Sequence, residues 1–363
     1  MGIQNFTKLF PAQGEVKYKD LRGKWVAVDA MYQLHRMAHP FKTANGSNAV
    51  LTAPDGSMTN HINGLLALIL NMHKNAINQV WVFDNPGAGH DSLKDIEVER
   101  RKSCRSVAKQ KLQDLVEQPE LFSDEEKIDP TNVITRGKYE RAAFSLDIYM
   151  INDLKYILDC FGVAWIEAPP GFEAEQLAAH MTNHEVHGIF ADAVLTPDPD
   201  CLLFGARQMI KNDKQKLFKF DLDSIYLEIS AEPTQSVTKK TTKNVASVTP
   251  PRVINSSSSA DNLIWIGIAL GCDFAEKVPG IGPKTVIKKL SSIKWSDRQL
   301  AAFKYFKTPI CPVALATTVV HKKEIPFSDN VRIVELFKWL TGTKGFNATR
   351  MESRFRAAKL PMK

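Results

Sequence analysis

Four aspartates stand where apolar runs end. Trp25-Val26-Ala27-Val28 runs into Asp29, and Val80-Trp81-Val82-Phe83 runs into Asp84. Gly188-Ile189-Phe190-Ala191, followed by Val194-Leu195-Thr196, leads to Asp198 and Asp200. Another run, Val163-Ala164-Trp165-Ile166, passes through Pro169-Pro170-Gly171 to Glu173 and Glu175. Carboxylates supply charge and oxygen donors, and when several are gathered they repel unless cations offset them. Taken singly, each acid also has a plainer reading. Asp29 and Asp84 suit helix caps, Glu173 and Glu175 favour a helix N-terminus through its dipole, and Asp198 and Asp200 suit a turn around Pro199.

The elements around these acids decide whether they meet. The apolar runs read as buried parallel strands, short and rich in β-formers. Amphipathic stretches from His61 to Lys74 and from Asp147 to Phe161 separate them as helices. Strands alternating with helices imply βαβ units, whose strand C-termini share one edge where ligands bind. Asp29, Asp84, Asp198 and Asp200 are therefore expected along one edge of an α/β sheet.

Two segments read as insertions. Residues 94–143 are dense in charge and poor in strand pattern, with a long helix expected from Lys94 to Glu117 and an acidic turn from Ser123 to Asp129. The stretch from about Pro233 to Ala260 holds a Thr-Lys-Lys-Thr-Thr-Lys run, Pro250-Pro251 and Ser256 to Ser259, too polar to order itself. It reads as a flexible linker inside one unit. An apolar helix from Asn262 to Leu270 follows. Next comes Val278-Pro279-Gly280-Ile281-Gly282-Pro283-Lys284, a helix-hairpin-helix signal. Its glycines permit a tight turn and a close backbone approach to phosphate, and a helix starting near Pro283 would aim its N-terminus at the same anion.

Composition agrees without deciding. With 44% hydrophobic and 24% charged residues the chain is of ordinary globular type, and no apolar stretch is long enough to span a bilayer. The first residues, MGIQNFTKLF, lack a secretory core. A net charge of +7 suits a polyanionic partner. Five cysteines, an odd number without zinc-ligand spacing, point to free thiols, mostly buried, in a reducing compartment.

Read together, MGIQ, VAVDA, VFDN, APPGFEAEQLA, TPDPDCLLFG and ALGCDFAEKVPGIGPK resemble, in order, the flap-endonuclease, XPG and exonuclease-one group of nucleases. The resemblance spans most of the chain outside 94–143 and 233–260. It implies a PIN-like nuclease core with a helical cap and a helix-hairpin-helix module. The implied ranges are 1–105 (N-terminal nuclease region), 106–145 (cap or arch), 146–232 (internal nuclease region), 233–260 (linker) and 261–363 (helix-hairpin-helix and C-terminal helical region). The implied metal ligands are Asp29, Asp84, Glu173, Glu175, Asp198, Asp200 and Asp273, with Asp273 acting from the outer shell. Oxygen-only donors favour Mg2+, two ions per chain, with Mn2+ able to substitute.

Lys94 and Arg101, seven apart and so on one helix face, match the family's catalytic Lys and Arg and would act with Asp84 and Asp198 on the scissile phosphodiester. A solvated charged face is the plainer reading, since Arg100, Lys102 and Arg105 are basic too. His35, in DAMYQLHRM, matches the exonuclease-one version of the motif and would stack on a base, with Tyr32 as rival and a packed histidine as the plainer reading. Gly2, Gly280, Gly282 and Lys284 complete the implied DNA contacts.

The implied activity is Mg2+-dependent hydrolysis of branched or flapped DNA, in repair or replication. A PIN-type RNA nuclease and a non-catalytic DNA-binding scaffold are the alternatives. The usual VFDG is VFDN here, with Asn85, and the C-terminal RFRAAKLPMK carries no sliding-clamp motif. A short chain with an intact core is similar to family members carried by large DNA viruses. A monomer with no membrane association is expected, in the nucleus (the host's, if viral) or alternatively the cytoplasm. Deleting Thr238 to Ser258 is expected to preserve the fold and most single-turnover activity, while removing Lys239, Lys240, Lys243 and Arg252 lowers salt-dependent affinity. Circular dichroism and single-turnover cleavage of the deletion protein check this, and an unfolded or inactive product contradicts it.

Overall fold

The computed structural model describes residues 2–3, 5–42, 48–85, 93–117, 130–213, 216–230, 258–321 and 330–360. Ten strands form: β1 (Gly14–Val16), β2 (Trp25–Asp29), β3 (Phe41–Lys42), β4 (Asn48–Ala49), β5 (Asn78–Phe83), β6 (Ala164–Glu167), β7 (Ala193–Leu195), β8 (Gln208–Asp213), β9 (Lys216–Asp221) and β10 (Val320–His321). Eight make one mixed sheet in the order β1-β9-β8-β7-β2-β5-β6-β10, and β3 pairs with β4 apart from it. The central run β8-β7-β2-β5-β6 is parallel, and antiparallel strands close both sides.

Alternation along the strands builds two cores. Ala27, Val80, Val82 and Ile166 face one side, packed with the helices Ala174–Met181 and Ser259–Leu270. Val26, Val28, Trp81 and Trp165 face the other, packed with Ala30–Ala38, Asn60–Lys74, Ile148–Phe161 and Ala348–Ala357. Side chains on both faces of a central strand are buried because helices cover both, which is why these strands read as unbroken apolar runs.

Local chemistry sets the boundaries. Asp147 caps the Ile148–Phe161 helix, its side chain accepting from the Tyr149 N–H, and Gly162 ends it at φ 63°. Ser258 caps the next apolar helix by accepting from the Asp261 N–H, so that helix is Ser259–Leu270 and begins three residues before the expected Asn262. The linker limit at 260 therefore falls inside a helix, and the deletion should stop at residue 257. Residues 188–191 are not a strand: Val186 and Ile189 pair across a tight turn with His187 at φ 50° and Gly188 at φ 78°.

The charged insertion contains the helices Asp95–Glu117 and Pro130–Ala143, which pack together. The proposed cap limit at 106 thus cuts the first of them. The Ser123–Asp129 turn, the closure of an arch and the linker from 233 to 257 lie outside the described residues. Of the five free cysteines, Cys160 and Cys201 are buried, Cys272 is intermediate, and Cys104 and Cys311 are exposed. Burial is thus less general than expected. No helix among the described residues is long and apolar enough to cross a membrane.

One buried polar group ties the C-terminal region to the core. Asp153 Oδ2 accepts from Lys344 Nζ at 2.8 Å and lies 3.1 Å from His61 Nε2, with all three side chains buried. Lys344 also lies over the Trp339 ring at 5.0 Å. Removing the carboxylate strands a buried ammonium, so Asp153→Ala is expected to cost about 3–5 kcal/mol. Urea denaturation measures it, and a loss below about 1 kcal/mol would place the pair with weakly coupled surface ion pairs.

Candidate active site

All the sequence-derived acids lie at the C-terminal edge of the parallel strands or on segments packed against it. Asp29 ends β2, Asp84 follows β5, and Asp198 and Asp200 follow β7. Glu173 and Glu175 open the Ala174–Met181 helix beyond β6, and Asp273 follows the Ser259–Leu270 helix.

Backbone and hydroxyl donors fix several of them. Asp29 Oδ1 caps its helix, accepting from the Tyr32 N–H at 2.9 Å, while Oδ2 accepts from Thr196 Oγ1 at 2.9 Å. The cap reading of Asp29 is therefore correct, and membership of the cluster is correct as well. Asp84 is exposed, and its Oδ1 accepts from the Ala174 N–H at 2.9 Å, joining β5 to the helix of Glu173 and Glu175. Asp198 Oδ1 accepts from the Asp200 N–H at 3.1 Å. Asp200 is buried, and its Oδ1 has no hydrogen-bond partner. Thr196, which sequence reasoning missed, also accepts from the Asp198 N–H and so holds two acids at once.

Electrostatics confirm the convergence. Burial, with Asp84 and Asp198 nearby, pushes the Asp29 carboxyl up to about 7. Burial and neighbouring acids raise Glu175 and Asp200 well above the usual carboxylate range. Glu173 and Asp198 are raised also, by burial first, with Asp273 among the charges acting on both. All seven thus share one field.

Two protein cations enter that field from the base of the first cap helix. Lys94 pairs with Glu173 and lies over the Phe274 ring at 5.0 Å. Burial alone would lower its pKa, but Glu173, Glu175 and Asp273 outweigh it and hold the ammonium charged. Arg101 Nη2 meets Asp273 Oδ2 at 2.5 Å, and Arg101 Nε meets Glu97 Oε1 at 2.7 Å. Glu97 also binds Arg100, whose hydrogen bond, with Arg101 behind it, holds the Glu97 carboxyl down at about 2. Glu97 was missed as well, although its i,i+3 and i,i+4 spacing to Arg100 and Arg101 was a visible sign. The plainer reading of Lys94 and Arg101 as a solvated face does not hold, since both point into the cluster.

The donor set suits a hard divalent cation: oxygens only, mutually repelling, one of them buried and bare. Among the described residues, no three acidic, histidine or cysteine side chains are disposed to hold a common ion in this arrangement. An ion bound here would draw the carboxylates inward and compete for oxygens that Lys94 and Arg101 now hold.

The remaining candidates are placed as follows. Gly2 lies against Asp198 at φ 75°, where a Cβ would come 2.9 Å from Asp198 Cγ and 3.0 Å from Pro199 Cδ, so only glycine fits. Between it and the cap helix opens a cavity of about 420 Å³ lined by Glu97, Arg100, Asp273, Lys277 and Arg298. His35 packs edge-on to His39 and against Phe144, with ring centroids 4.7 and 5.6 Å away. Burial, then His39 and the nearby Arg101 and Arg105, lower its pKa to about 4, so the ring is neutral. In the hairpin, Gly280 takes φ 73° with open space around it, and Lys284 is exposed. The Gly282 N–H is already held by Thr285 Oγ1 at 3.1 Å, and the next helix is the short Val286–Lys289, three residues later than expected. Lys284 and the glycines lie apart from the carboxylates in sequence, on the segment after Asp273.

Comparison with known proteins gives this arrangement its family. The profile described as XPG N-terminal domain matches residues 1–108, and that described as XPG I-region matches residues 162–273. Flap endonuclease 1 of Nanoarchaeum equitans is 28% identical over 313 residues, covering 85% of this chain and 80% of the relative. Flap endonuclease 1 of Nitrosopumilus maritimus is also 28% identical, over 93% and 90% of the two chains. The solved flap endonuclease-1 from Methanococcus jannaschii superposes with a TM-score of 0.65 at 20% identity, covering 98% of each chain. The catalytic core of Rad2 in complex with DNA substrate gives 0.60 at 17%, covering 98% of this chain and all of that one. The structural matches establish the fold, and the two family regions, which between them span more than half of the residues, establish that this chain belongs to the flap endonuclease/XPG family of structure-specific, metal-dependent DNA nucleases.

Proposed function

We propose that this chain cuts phosphodiester bonds in branched or flapped DNA, near a 5′ end or a single-strand junction, leaving a 5′ phosphate and a 3′ hydroxyl. The observation that carries this is the gathering of seven carboxylates at one sheet edge, entered by Lys94 and Arg101 from the cap helix. Two magnesium ions at this cluster, with manganese able to replace them, would activate a water and neutralise the phosphate. Asp29, Asp84, Glu173, Glu175, Asp198 and Asp200 are the proposed ligands, with Asp273 behind them. Lys94 and Arg101 would turn toward the scissile phosphate and stabilise its developing charge. His35 offers a neutral ring at the cap base for stacking. Gly2 leaves room beside Asp198, while Gly280, Gly282 and Lys284 would meet the phosphates of the duplex arm. Specificity then rests on strand ends and duplex bending, not base sequence. The proposed working form is a monomer, in the nucleus (the host's, if viral) or alternatively the cytoplasm.

The deciding experiment is cleavage of end-labelled nicked, gapped, flap and bubble DNA, beside matched RNA flaps, with magnesium or chelator. Magnesium-dependent cutting of branched DNA is expected. Preference for RNA would favour a PIN-type ribonuclease, and binding without cutting would favour a scaffold.

Asp84→Asn and Asp198→Asn are expected to lose cleavage by orders of magnitude. Stability separates charge from structure. Asp198 and its neighbours have carboxyls raised in the fold, so the folded chain gives up protons at higher pH than the unfolded one, and their ionisation costs stability as pH rises toward the Asp29 value of about 7. In chelator, Asp198→Asn should therefore match wild type below the unfolded carboxylate value, at about pH 3, and exceed it by about 1 kcal/mol at about pH 7.5. Magnesium should reverse the order, because only wild type gains the full binding energy. Melting curves at both pH values decide. A variant that is less stable in chelator at pH 7.5 would make Asp198 a structural hydrogen-bonding residue.

A further inference from the structure

The helix that opens with Glu173 and Glu175 ends in a different set of donors. His180 lies in its last turn, and His184 follows four residues later, its N–H donating to the His180 carbonyl at 2.9 Å. The two rings stack, with centroids 4.5 Å apart and planes 27° from parallel. Among the described residues neither imidazole makes a hydrogen bond. Both line a cavity of about 210 Å³, floored by Phe204 and Phe306.

Gln176, one turn before His180, lines the same cavity and is only 4% exposed. Its Nε2 donates to the Thr308 carbonyl at 2.9 Å, while its Oε1 has no partner. A carbonyl can only accept, so Thr308 fixes the amide orientation and the bare atom is the oxygen. A buried acceptor without a donor is costly, which marks a place where a ligand would satisfy it.

Two imidazoles and a carbonyl oxygen do not suit magnesium, which prefers oxygen donors alone, but they suit borderline divalent ions such as zinc. Three other features favour a cation there. The helix C-terminus carries the negative end of its dipole. Lys307, also on the cavity, has its charge engaged by Asp261 at 2.8 Å. Burial, then His184, holds the His180 ring below its usual range, so it is neutral and able to ligate at neutral pH.

We propose that His180 and His184, with Gln176 Oε1, form a site for a divalent transition ion of the zinc class, separate from the carboxylate cluster. Bound there, the ion would staple the last turns of the Glu173–Glu175 helix to the turn that follows it at His184.

Zinc titration of the full chain by calorimetry, with magnesium in saturating excess, tests this. One zinc per chain is expected, together with a rise in Tm. His184→Asn, at an exposed position, and His180→Asn should each weaken binding roughly tenfold or more, and Gln176→Leu should weaken it less. Magnesium-dependent DNA cleavage by His184→Asn should be unchanged. In wild type, the imidazole resonances of both histidines should shift with zinc, a readout that needs no variant. An isotherm unaltered in the His180→Asn/His184→Asn double variant would assign the zinc to the carboxylates and overturn the proposal. So would the absence of zinc binding up to about 1 mM.

Discussion

Mutual repulsion among carboxylates is the constraint around which this chain is organised. A parallel sheet brings its strand ends to one edge, so acids at those ends are forced together by the topology. Two remedies are visible within the protein. One is protonation, seen in the raised carboxyls of Asp29, Glu175 and Asp200. The other is import of positive charge, seen in Lys94 on Glu173 and Arg101 on Asp273. The cap helix reaches the core through Lys94 and Arg101, and Arg298 secures the same entrance, donating to the Leu93 carbonyl and, at 3.1 Å, to that of Phe274. The cap base is thus held by the charge of the site it overlies.

Much of this is legible in the amino-acid sequence, for a physical reason. Central strands buried on both faces must be apolar throughout, so an acid at the end of such a run stands out, and Asp29 and Asp84 fall where the runs placed them. The expected Asp147–Phe161 and His61–Lys74 helices match Ile148–Phe161, capped by Asp147, and Asn60–Lys74 to within a residue, because amphipathic period and caps are local signals. What was not legible depends on partners distant in sequence. The β8–β9 hairpin, QMIKND and KLFKFD, mixes lysine and other polar residues with its apolar ones, and the edge strands β1 and β10 are only three and two residues long, so none has a run to announce it. Residues 188–191 had a strand's composition, but His187 and Gly188 turn the chain back before pairing starts at Ala193. Thr196 was invisible as a site residue because its two partners, Asp29 and Asp198, meet only in the fold.

The same dependence separates the seven acids from one another. Asp29, fully buried, holds two internal hydrogen bonds, and neither oxygen is idle. Asp84 is exposed and holds one, leaving an oxygen toward the cleft. Asp200 is buried with one oxygen bare. A carboxylate oxygen that accepts one hydrogen bond keeps a second lone pair for an ion, but a buried oxygen with no partner gains most from one. Among the proposed ligands Asp200 therefore stands to gain most from an ion, while the place of Asp29 is set by its helix cap and by Thr196.

That inequality bears on how Lys94 and Arg101 change partners. Each holds an acid of the cluster through a charge-assisted contact, and each lies on the segment that would overhang a phosphate. A divalent ion entering the cluster competes for the same oxygens with twice the charge at a single centre. Were the carboxylates to turn toward such an ion, the attraction that holds the two basic side chains would weaken, and a phosphate at the edge would offer them other oxygens. Glu97 holds the Nε side of the Arg101 guanidinium, so the Nη2 side, now on Asp273, is the one that could change partners. On the proposed reading, the cations that offset the cluster's charge are also the ones that would receive the substrate's, so one pair of side chains would serve stability and chemistry in turn.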